Sequence, residues 1–477
     1  MAIREGWELV VGLEVHCELA TQTKIFCGCA NSFGEAPNTN ICPVCLGLPG
    51  SLPVVNRTAV EYAMRIGAAL HCTIKPSIFH RKNYFYPDMP KDYQVSQYDQ
   101  PINADGYLDL PNDTRIGIER AHMEEDTGKS SHVGGTGGRI HGASHSLVDY
   151  NRAGVPLVEI VSRPDIRSAE DAKAYVSELR SILVATGASD GKMEEGSLRV
   201  DANVSVRRPG EELGTRCEIK NLNSLRSLMR AIEYEANRQI DLLTSGERIV
   251  QETRHWSEDD GRTSSMRSKE EAFDYRYFPE PDLVAMDPSE AWIAEVRAAL
   301  PKMPGDKRRE LSAATGAALA TSSDAILTVI DQDLDPLVFA AIDAGADARR
   351  AINRAANEVA AYGPNHKMSV DAFVALLAME AAGTVTATQA KSVLQELLEN
   401  GGYPAAIAAA RGFEALASGA SEELVERLIA EHPAEFDRLR SGDPKIAGFF
   451  VGAAMKATGG KADGKTITAA LRARAGL

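Results

Sequence analysis

The chain has 477 residues, more than a single hydrophobic core usually serves, which predicts two or three domains. Hydrophobic residues make up 44% and charged residues 25%, as in a soluble globular protein, and no apolar run approaches the roughly 20 residues of a membrane span. The net charge of −15 argues against a surface that coats nucleic acid broadly, although a local basic patch is compatible with it.

The start of the chain and its cysteines indicate a cellular location. The first ten residues, MAIREGWELV, lack both the apolar core of a secretory signal and the Arg/Ser-rich bias of a transit peptide, so a cytoplasmic protein is expected. Four of the seven cysteines occur as two closely spaced pairs. In a cytosolic protein this pattern favours a metal site over disulfide bonds.

Strand and helix patterns are mixed in the N-terminal part. Residues 7–18 and 198–207 alternate between apolar and polar side chains, as strands with one buried face do. Residues 168–187 and 223–246 are predicted to be helices, and Ser168 is placed to cap the first of them.

The C-terminal part has a different composition. A hinge rich in proline and basic residues begins near 301–305 and leads into Ala-rich sequence with few strand signals, and GGYP at 401–404 marks a second break. We therefore predict an α+β protein. A mixed α/β domain with an antiparallel-rich sheet covers residues 1–292, and two mostly helical domains cover 293–403 and 404–477.

The cysteine pairs have the spacing of a zinc site. Cys27 and Cys29 are separated from Cys42 and Cys45 by twelve residues, so two turns can each present two thiolates to one tetrahedral ion. The first pair has one intervening residue where a knuckle usually has two. The alternative is four thiols that lie together without a metal. Four protein ligands would close the coordination sphere, which indicates a structural ion.

Carboxylates form a second constellation. Glu14 and His16 share one face of the first strand, so both can reach one ion. Residues 122–126, HMEED, bring three acids together, and Glu159 lies inside the apolar sequence VPLVEIV, where an uncompensated charge would be costly. Oxygen ligands with one imidazole suit Mg²⁺ or Mn²⁺. The alternative for each acid alone is a solvated or salt-bridged group.

Two segments could contact phosphates. Residues 81–88, RKNYFYPD, interleave cations with aromatic rings and could pair phosphates and stack a base, or could form a turn with its rings packed inward. The last stretch carries several cations against a single acid and could contact nucleic acid or form a solvated helical tail. These cations are Lys456, Lys461, Lys465, Arg472 and Arg474, and the acid is Asp463.

Common nucleotide motifs do not match. TGKSS at 127–131 resembles the end of a P-loop, but Met123 stands where that pattern requires glycine. GGTGG at 134–138 is predicted to be a flexible surface loop. Ser130 and Ser131 lack the glycine-rich context of an amidase nucleophile, so no nitrogen-releasing active site is apparent in the sequence.

Long strings in the N-terminal part are characteristic of one family. The chain resembles the B subunits of the aspartyl/glutamyl-tRNA(Asn/Gln) amidotransferases, and the C-terminal half matches them more loosely. The matching strings are VGLEVHCEL (11–19), RKNYFYPDMPKDYQVSQYDQPI (81–102), HMEEDTGKS (122–130), DYNRAGVPLVEIVSRPDIRS (149–168), MEEGSLRVDANVSVR (193–207), EIKNLNS (218–224) and DYRYFPEPDL (274–283).

This resemblance implies a reaction and partners. An amidase A subunit frees ammonia from glutamine, a small C subunit holds the heterotrimer together, and the B subunit receives the ammonia. There, ATP phosphorylates the side-chain carboxylate of Glu-tRNA(Gln) or Asp-tRNA(Asn), and ammonia displaces the phosphate. The first domain would be catalytic, with a zinc region near its cleft, and the last would bind tRNA.

The resemblance also implies residue roles. Metal-binding residues would be Glu14, His16, Glu125 and Glu159, with Glu124 and Asp201 as nearby acids. Phosphate and substrate would be handled by Arg81, Lys82 and Tyr84. ATP, Mg²⁺ and a structural Zn²⁺ would be required. Two rival hypotheses are a zinc-containing tRNA adaptor without catalytic activity and a stand-alone ligase that uses free ammonia.

Overall fold

In a computed structural model, the described residues are 3–134, 142–268, 275–413, 420–441, 443, 445–458, 462 and 464–476. The loop predicted at 134–138 lies outside them except for its first glycine. The chain divides into two compact units, Met1–Gly305 and Asp306–Leu477. The first is a mixed α/β unit and the second is mostly helical, so the predicted fold class is confirmed.

The first unit is built on a large sheet. Its strands are β1 Glu8–Glu18, β2 Thr73–Ile74, β3 His80–Asn83, β4 Tyr93–Ser96, β5 Asn103–Asp109, β6 Arg115–Glu125, β7 Lys129–Val133, β8 His145–Asp149, β9 Pro156–Ser162, β10 Leu198–Arg207, β11 Cys217–Leu222, β12 Glu252–Ser257, β13 Arg262–Ser268 and β14 Phe278–Pro279. Its helices are α1 Arg57–Ala69, α2 Ala169–Ala185, α3 Leu225–Thr244 and α4 Glu290–Ala298, with a 3-10 turn at Tyr150–Arg152.

The sheet is almost entirely antiparallel. Its main path runs β13-β12-β11-β10-β1-β9-β6-β4-β3-β14, and β5 joins β6 to β2 at the side. Among these pairs, only β11 and β12 run parallel. Strands β7 and β8 form a separate hairpin. The central strands β1, β9 and β6 therefore have neighbours on both sides, which fixes which of their side chains share a face.

One face of this sheet packs on helices because the central strands alternate. In β1, the side chains of Leu9, Val11, Leu13 and Val15 are buried, as the pattern at 7–18 predicted. They belong to one apolar core that also contains side chains of α1, α2 and α3. The polar side chains of the same strands are left on the opposite face, where the candidate site lies.

Both predicted helices are confirmed, α2 with the predicted cap Ser168 and α3 with a cap one residue after its predicted start. The Ser168 hydroxyl accepts a hydrogen bond from the Asp171 amide, and the Ser224 hydroxyl accepts one from the Ser227 amide. Each cap satisfies a backbone donor that the helix cannot pair. Gly187, just beyond α2, has a φ of +70°, a conformation that glycine adopts without strain.

The second unit contains helices around two apolar clusters. Its helices are α5 Pro304–Ala314, α6 Asp324–Asp331, α7 Asp335–Asp343, α8 Ala348–Arg354, α9 Ala360–Tyr362, α10 Val370–Ala381, α11 Ala387–Asn400, α12 Pro404–Ala410, α13 Ala420–Glu431, α14 Pro433–Arg440, α15 Ile446–Ala457 and α16 Gly464–Ala475, with a π-helical turn at Ala355–Val359. No helix in the described parts of the chain has both the length and the apolar character to cross a bilayer.

The two clusters of the second unit divide it after α12. Ile407 and Ala408 of α12 pack into the cluster formed by the preceding helices, and Phe413 packs against it. Helices α13 to α16 share an apolar cluster of their own, in which Phe450 is fully buried. The sequence predicted that the third domain begins at residue 404, which is the first residue of α12. By its packing, however, α12 belongs with the helices before it.

Candidate active site and metal centres

The polar face of the central strands brings distant parts of the chain together. In the backbone register, His16 of β1 is opposite Glu159 of β9, and Glu159 is opposite His122 of β6. On the other side of β1, Glu14 is opposite Asp201 of β10. Residues opposite each other in neighbouring strands project to the same face, so these five side chains form one polar surface.

Three side chains on this face could hold one metal ion. Ligand atoms of His16, Glu124 and Glu159 all lie within 4.8 Å of one another. Two carboxylates and one imidazole are a suitable donor set for a small divalent cation such as Mg²⁺ or Mn²⁺, whose opposite ligands lie about 4.2 Å apart at an ideal site. The geometry of the group fits such an ion after small side-chain shifts.

His122 lies between the two carboxylates of this group. Its Nε2 atom is 3.3 Å from Oε1 of Glu124 and 3.5 Å from Oε2 of Glu159, and the ring is fully buried. Ionised carboxylates only accept hydrogen bonds, so Nε2 is the donor in this arrangement. His122 therefore donates to Glu124 and also lies beside the carboxylate of Glu159.

The surroundings of Glu124 favour its ionised form although it is buried. Burial alone would raise the pKa of Glu124, but the hydrogen bond from His122 and the charges of Lys82 and His16 lower it well below its usual range. The Ser96 hydroxyl also donates to Oε1 of Glu124 at 2.7 Å. A buried, ionised and fixed carboxylate is suited to binding a cation.

Glu125 points to the other face of β6. Its carboxylate accepts two hydrogen bonds from Nζ of Lys91, at 2.5 and 2.7 Å, and one from the Val95 amide at 2.8 Å. The structure therefore does not bring Glu125 to His16 and Glu159. Of the two adjacent acids, Glu124 is the one that reaches the group.

The other predicted acids lie farther along the same face. The Asn203 amide donates to Oε1 of Glu14 at 2.8 Å, and burial followed by the charges of Glu159 and Glu218 raises the pKa of Glu14. Nζ of Lys220 lies 2.8 Å from Oδ2 of Asp201 and 3.0 Å from Oε1 of Glu218. Glu14 and Asp201 therefore have partners of their own and are not part of the three-residue metal group. Both line the cavity that covers this face of the sheet.

A cavity of about 920 Å³ covers this face. Its walls include the metal group together with Lys82, Arg120 and Lys220, and the rings of Tyr98, Tyr275 and Tyr277. Burial alone would lower the pKa of Lys82, but the charge of Glu124 and nearby tyrosines raise it, so the ammonium form is retained. The volume is sufficient for a nucleotide-sized ligand.

Two of the three predicted phosphate-handling residues are placed elsewhere. The Arg81 guanidinium donates to both carboxylate oxygens of Glu280, at 2.7 and 2.8 Å, and covers the Tyr93 ring. The Tyr84 ring stacks on Tyr86 with centroids 5.5 Å apart. Neither Arg81 nor Tyr84 is among the residues that line the large cavity, whereas Lys82 is.

The four predicted cysteines form a second candidate metal centre. The Sγ atoms of Cys27, Cys29, Cys42 and Cys45 lie within 4.8 Å of one another, and those of Cys42 and Cys45 are 3.8 Å apart. Tetrahedral zinc with Zn–S distances of about 2.3 Å separates its sulfurs by about 3.8 Å. The group could therefore hold a metal ion such as zinc.

Without an ion, the surroundings favour the thiolate at one of the four cysteines, Cys45, whereas hydrogen bonding with Cys45 and burial raise the pKa of Cys27, and burial raises the pKa of Cys29 to about 11. Hydrogen bonding by Cys27, opposed by burial, lowers the pKa of Cys45 to about 5, and the charge of Lys24 contributes. Lys24 is fully buried and donates to the Asn40 carbonyl at 3.0 Å. Cys27 and Cys45 also line a cavity of about 70 Å³ that reaches Glu125 on the far face of β6.

Comparison with known proteins places the chain in a family. A sequence model described as the GatB/GatE catalytic domain matches residues 9–294, and one described as the GatB domain matches 337–474. The B subunit of the aspartyl/glutamyl-tRNA(Asn/Gln) amidotransferase from Salinispora tropica is 50% identical over 99% of this chain and 97% of its own length. The chain belongs to the GatB/GatE family. Proteins of the same name from Frankia casuarinae and a Synechococcus species are 49% and 47% identical, covering 99% and 96% of this chain and 96% of each relative.

Several residues that line the large cavity were not predicted as site residues from the sequence. They are Tyr98, Arg120, Lys220 and Tyr277, and the buried His122 that contacts the metal group was not singled out either. Arg120, His122 and Glu124 follow one another at intervals of two, the signal of one strand face, but that signal is informative only once 115–125 is known to be a strand. For Tyr98 and Tyr277, no local pattern indicated that they would meet.

Proposed function

We propose that this chain is the B subunit of a heterotrimeric, glutamine-using amidotransferase that converts Glu-tRNA(Gln) or Asp-tRNA(Asn) to the amidated form with ATP. The observation that carries this proposal is the placement of a carboxylate–imidazole group and several lysine and arginine side chains around a single cavity. The relatives named above support the role as a subunit acting with tRNA. A cytoplasmic location follows from that role and stays a prediction.

The chemistry explains why such a cavity is needed. A carboxylate is a poor electrophile, because attack by ammonia would have to expel oxide. Transfer of the γ-phosphoryl group from ATP to the side-chain carboxylate releases ADP and gives an acyl phosphate. Ammonia then attacks the acyl carbon, inorganic phosphate leaves, and the attacking nitrogen loses a proton. In both steps negative charge develops on oxygen atoms in the transition state. Nearby cations stabilise that charge.

Residues of this chain supply the positioning charges. Lys82 projects into the cavity beside Glu124 and is suited to holding a transferring phosphoryl group. Lys220 and Arg120 place further positive charge along the walls. His16, Glu124 and Glu159 would hold Mg²⁺, which when bound offsets the charge of the nucleotide phosphates. His122 donates to Glu124 and so keeps that carboxylate oriented for the ion.

Nitrogen would come from partner subunits. The sequence offers no recognisable amidase nucleophile, so an A subunit would release ammonia from glutamine and a small C subunit would join the pair. This division of labour agrees with the designation of the relatives as B subunits. The rival adaptor hypothesis requires only tRNA binding and gives no reason for two neighbouring carboxylates, one of them buried, in the cavity.

The metal group generates the first prediction. Glu124→Gln and His16→Ala should each lower the rate of amidation by about 100-fold or more and weaken Mn²⁺ binding to the chain, because each removes a ligand. Amidation is measured with the partner subunits, glutamine, ATP and Glu-tRNA(Gln). Mn²⁺ binding is measured on the chain alone by water-proton relaxation, and tRNA binding should persist.

Two controls make this test specific. Glu195→Gln removes an exposed carboxylate that pairs with Lys192 and should leave both readouts unchanged. Glu125→Gln tests the adjacent acid, and it should weaken Mn²⁺ binding far less than Glu124→Gln does. Amidation at the wild-type rate by His16→Ala would favour the adaptor hypothesis, and equal Mn²⁺ loss in the Glu124 and Glu125 variants would contradict the ligand set.

The cysteine group is proposed to hold a structural zinc ion. Four thiolates leave no open position for substrate, and Lys24 partly compensates the negative charge of the tetrathiolate. Apparent binding energies for such sites are on the order of 10–16 kcal/mol, enough to order a loop with little apolar core.

Zinc content tests this second proposal. The purified chain should contain about one equivalent of zinc by elemental mass spectrometry, and the double variant Cys42→Ser/Cys45→Ser should contain almost none. The matched control is Cys72→Ser/Cys217→Ser, which removes two buried cysteines outside the group. Zinc retained by the first double variant at the control's level would contradict the assignment.

The C-terminal helices α13 to α16 are proposed to contact the tRNA body. They have their own apolar cluster, and Lys456 and Arg472 are exposed. Arg474 forms an exposed ion pair with Glu426. Of the other predicted cations, Lys461 lies outside the described residues. Cations on an exposed helical surface can neutralise phosphates, in a salt-dependent manner.

Truncation tests the tail. A chain that ends after Phe413 keeps α12 and the cluster before it, so ATP hydrolysis by the complex should change less than about twofold. The dissociation constant for tRNA should rise about tenfold or more, and Arg472→Gln/Arg474→Gln in the full chain should produce part of this loss. Unchanged tRNA affinity after truncation, measured by fluorescence anisotropy, would remove the tail as a contact.

A further inference from the structure

An aromatic pair forms one wall of the large cavity. The rings of Tyr98 and Tyr277 stack with centroids 5.2 Å apart and planes 18° apart. Tyr98 follows β4 and Tyr277 precedes β14, so segments far apart in the sequence build this pair. Tyr275 meets Tyr277 edge to face at 6.0 Å.

Cations accompany these rings. The Arg120 guanidinium carbon lies 4.8 Å from the centre of the Tyr98 ring, and Nζ of Lys82 lies 4.9 Å from the centre of the Tyr275 ring. Arg120 is on the same face of β6 as Glu124, four residues before it in the strand. The aromatic pair is therefore connected through Arg120 to the strand that carries the metal group.

Tyr98 is more exposed than structural packing requires. Tyr98 keeps 49% of its surface exposed although Tyr277 and Arg120 both contact its ring. A tyrosine that serves only the core would bury this apolar area. Here the exposed ring surface faces a cavity whose other walls are polar and charged, so a flat apolar ligand group can cover it.

We propose that Tyr98 and Tyr277, with Arg120 beside them, form a stacking subsite for an adenine ring. This inference rests on the proposed function, because both proposed substrates carry adenine. One is ATP, and the other is the 3′-terminal adenosine of the tRNA, which is esterified to the amino acid that reacts. A tyrosine pair with a neighbouring guanidinium binds bases through their faces, which requires no glycine-rich nucleotide motif.

The covalent structure of the substrates supports this location. The side-chain carboxylate that reacts beside His16, Glu124 and Glu159 is joined through a few bonds to the terminal ribose, so the terminal base must lie in or at the mouth of the same cavity. The γ-phosphate of ATP must reach that same carboxylate. Either adenine is therefore delivered to the neighbourhood of the metal group, where Tyr98 and Tyr277 supply an aromatic surface.

The test uses 2-aminopurine, whose fluorescence is quenched when it stacks. Two probes distinguish the sources of adenine: 2-aminopurine riboside triphosphate, and tRNA with 2-aminopurine in place of its terminal adenine. The wild-type complex should quench at least one probe. Tyr98→Leu and Tyr277→Leu should abolish that quenching and raise KM for the corresponding substrate about 5- to 150-fold, the range expected for loss of one base–aromatic stack.

Matched variants separate the ring from the hydroxyl. Tyr98→Phe and Tyr277→Phe keep the aromatic face and should retain both quenching and a KM within about twofold of wild type. Mn²⁺ binding by each Leu variant should match wild type, which shows that the metal group and the surrounding sheet are intact. Quenching of the triphosphate probe assigns the subsite to ATP, and quenching of the tRNA probe assigns it to the terminal adenosine.

Two results would overturn the subsite. One is a wild-type complex that amidates Glu-tRNA(Gln) but quenches neither probe, an outcome independent of how any variant folds. The other is a loss in the Phe variants equal to that in the Leu variants, which would assign the effect to the hydroxyls. A wild-type complex that fails to amidate at all would count against the proposed function instead, so the two failures are distinguishable.

Discussion

The carboxylates of Glu124 and Glu159 lie close together at a largely buried position, and the rest of the site depends on how this repulsion is compensated. Two like charges removed from water are costly unless cations or donors face them. His122 contacts both carboxylates, His16 lies 3.7 Å from Glu159, and Lys82 adds a charge nearby. A divalent ion would complete the compensation, which makes a metal the natural occupant of this group.

The period of two along antiparallel strands decides what each carboxylate can do. Glu124 and Glu125 are adjacent, so they point to opposite faces of β6. Glu124 joins the polar cavity, whereas Glu125 is held by Lys91 on the side that carries Cys27 and Cys45. The two candidate metal centres therefore lie on opposite faces of one strand. A cysteine loop ordered by a metal ion on one face would help to fix the strand that presents Glu124 on the other.

Local patterns in the sequence were sufficient to predict much of the fold. The alternation at 7–18 and 198–207 predicted two strands, and the capping serine at 168 predicted a helix start, because these signals involve only neighbouring residues. The cysteine spacing predicted that four thiols lie together, and the structure brings them together.

Features that depend on the register between distant strands could not be predicted from the sequence. The choice between Glu124 and Glu125 requires the pairing of β6 with β9, and the sequence had suggested only a cluster of acids before a loop. The position of Arg81 is set by Glu280, 199 residues away, which no local pattern indicates. The stacked pair of Tyr98 and Tyr277 is hidden for the same reason.

The central claim is that ATP activates the side-chain carboxylate by phosphorylating it, and an isotope-transfer measurement tests this most directly. Glu-tRNA(Gln) is prepared with oxygen-18 in both oxygens of the side-chain carboxylate and amidated by the complete complex in unlabelled water. Transfer through an acyl phosphate moves one labelled oxygen to inorganic phosphate for each amide formed, and mass spectrometry of the phosphate should detect it. Phosphate that contains no label, while amide is formed and ATP is consumed, would contradict the account.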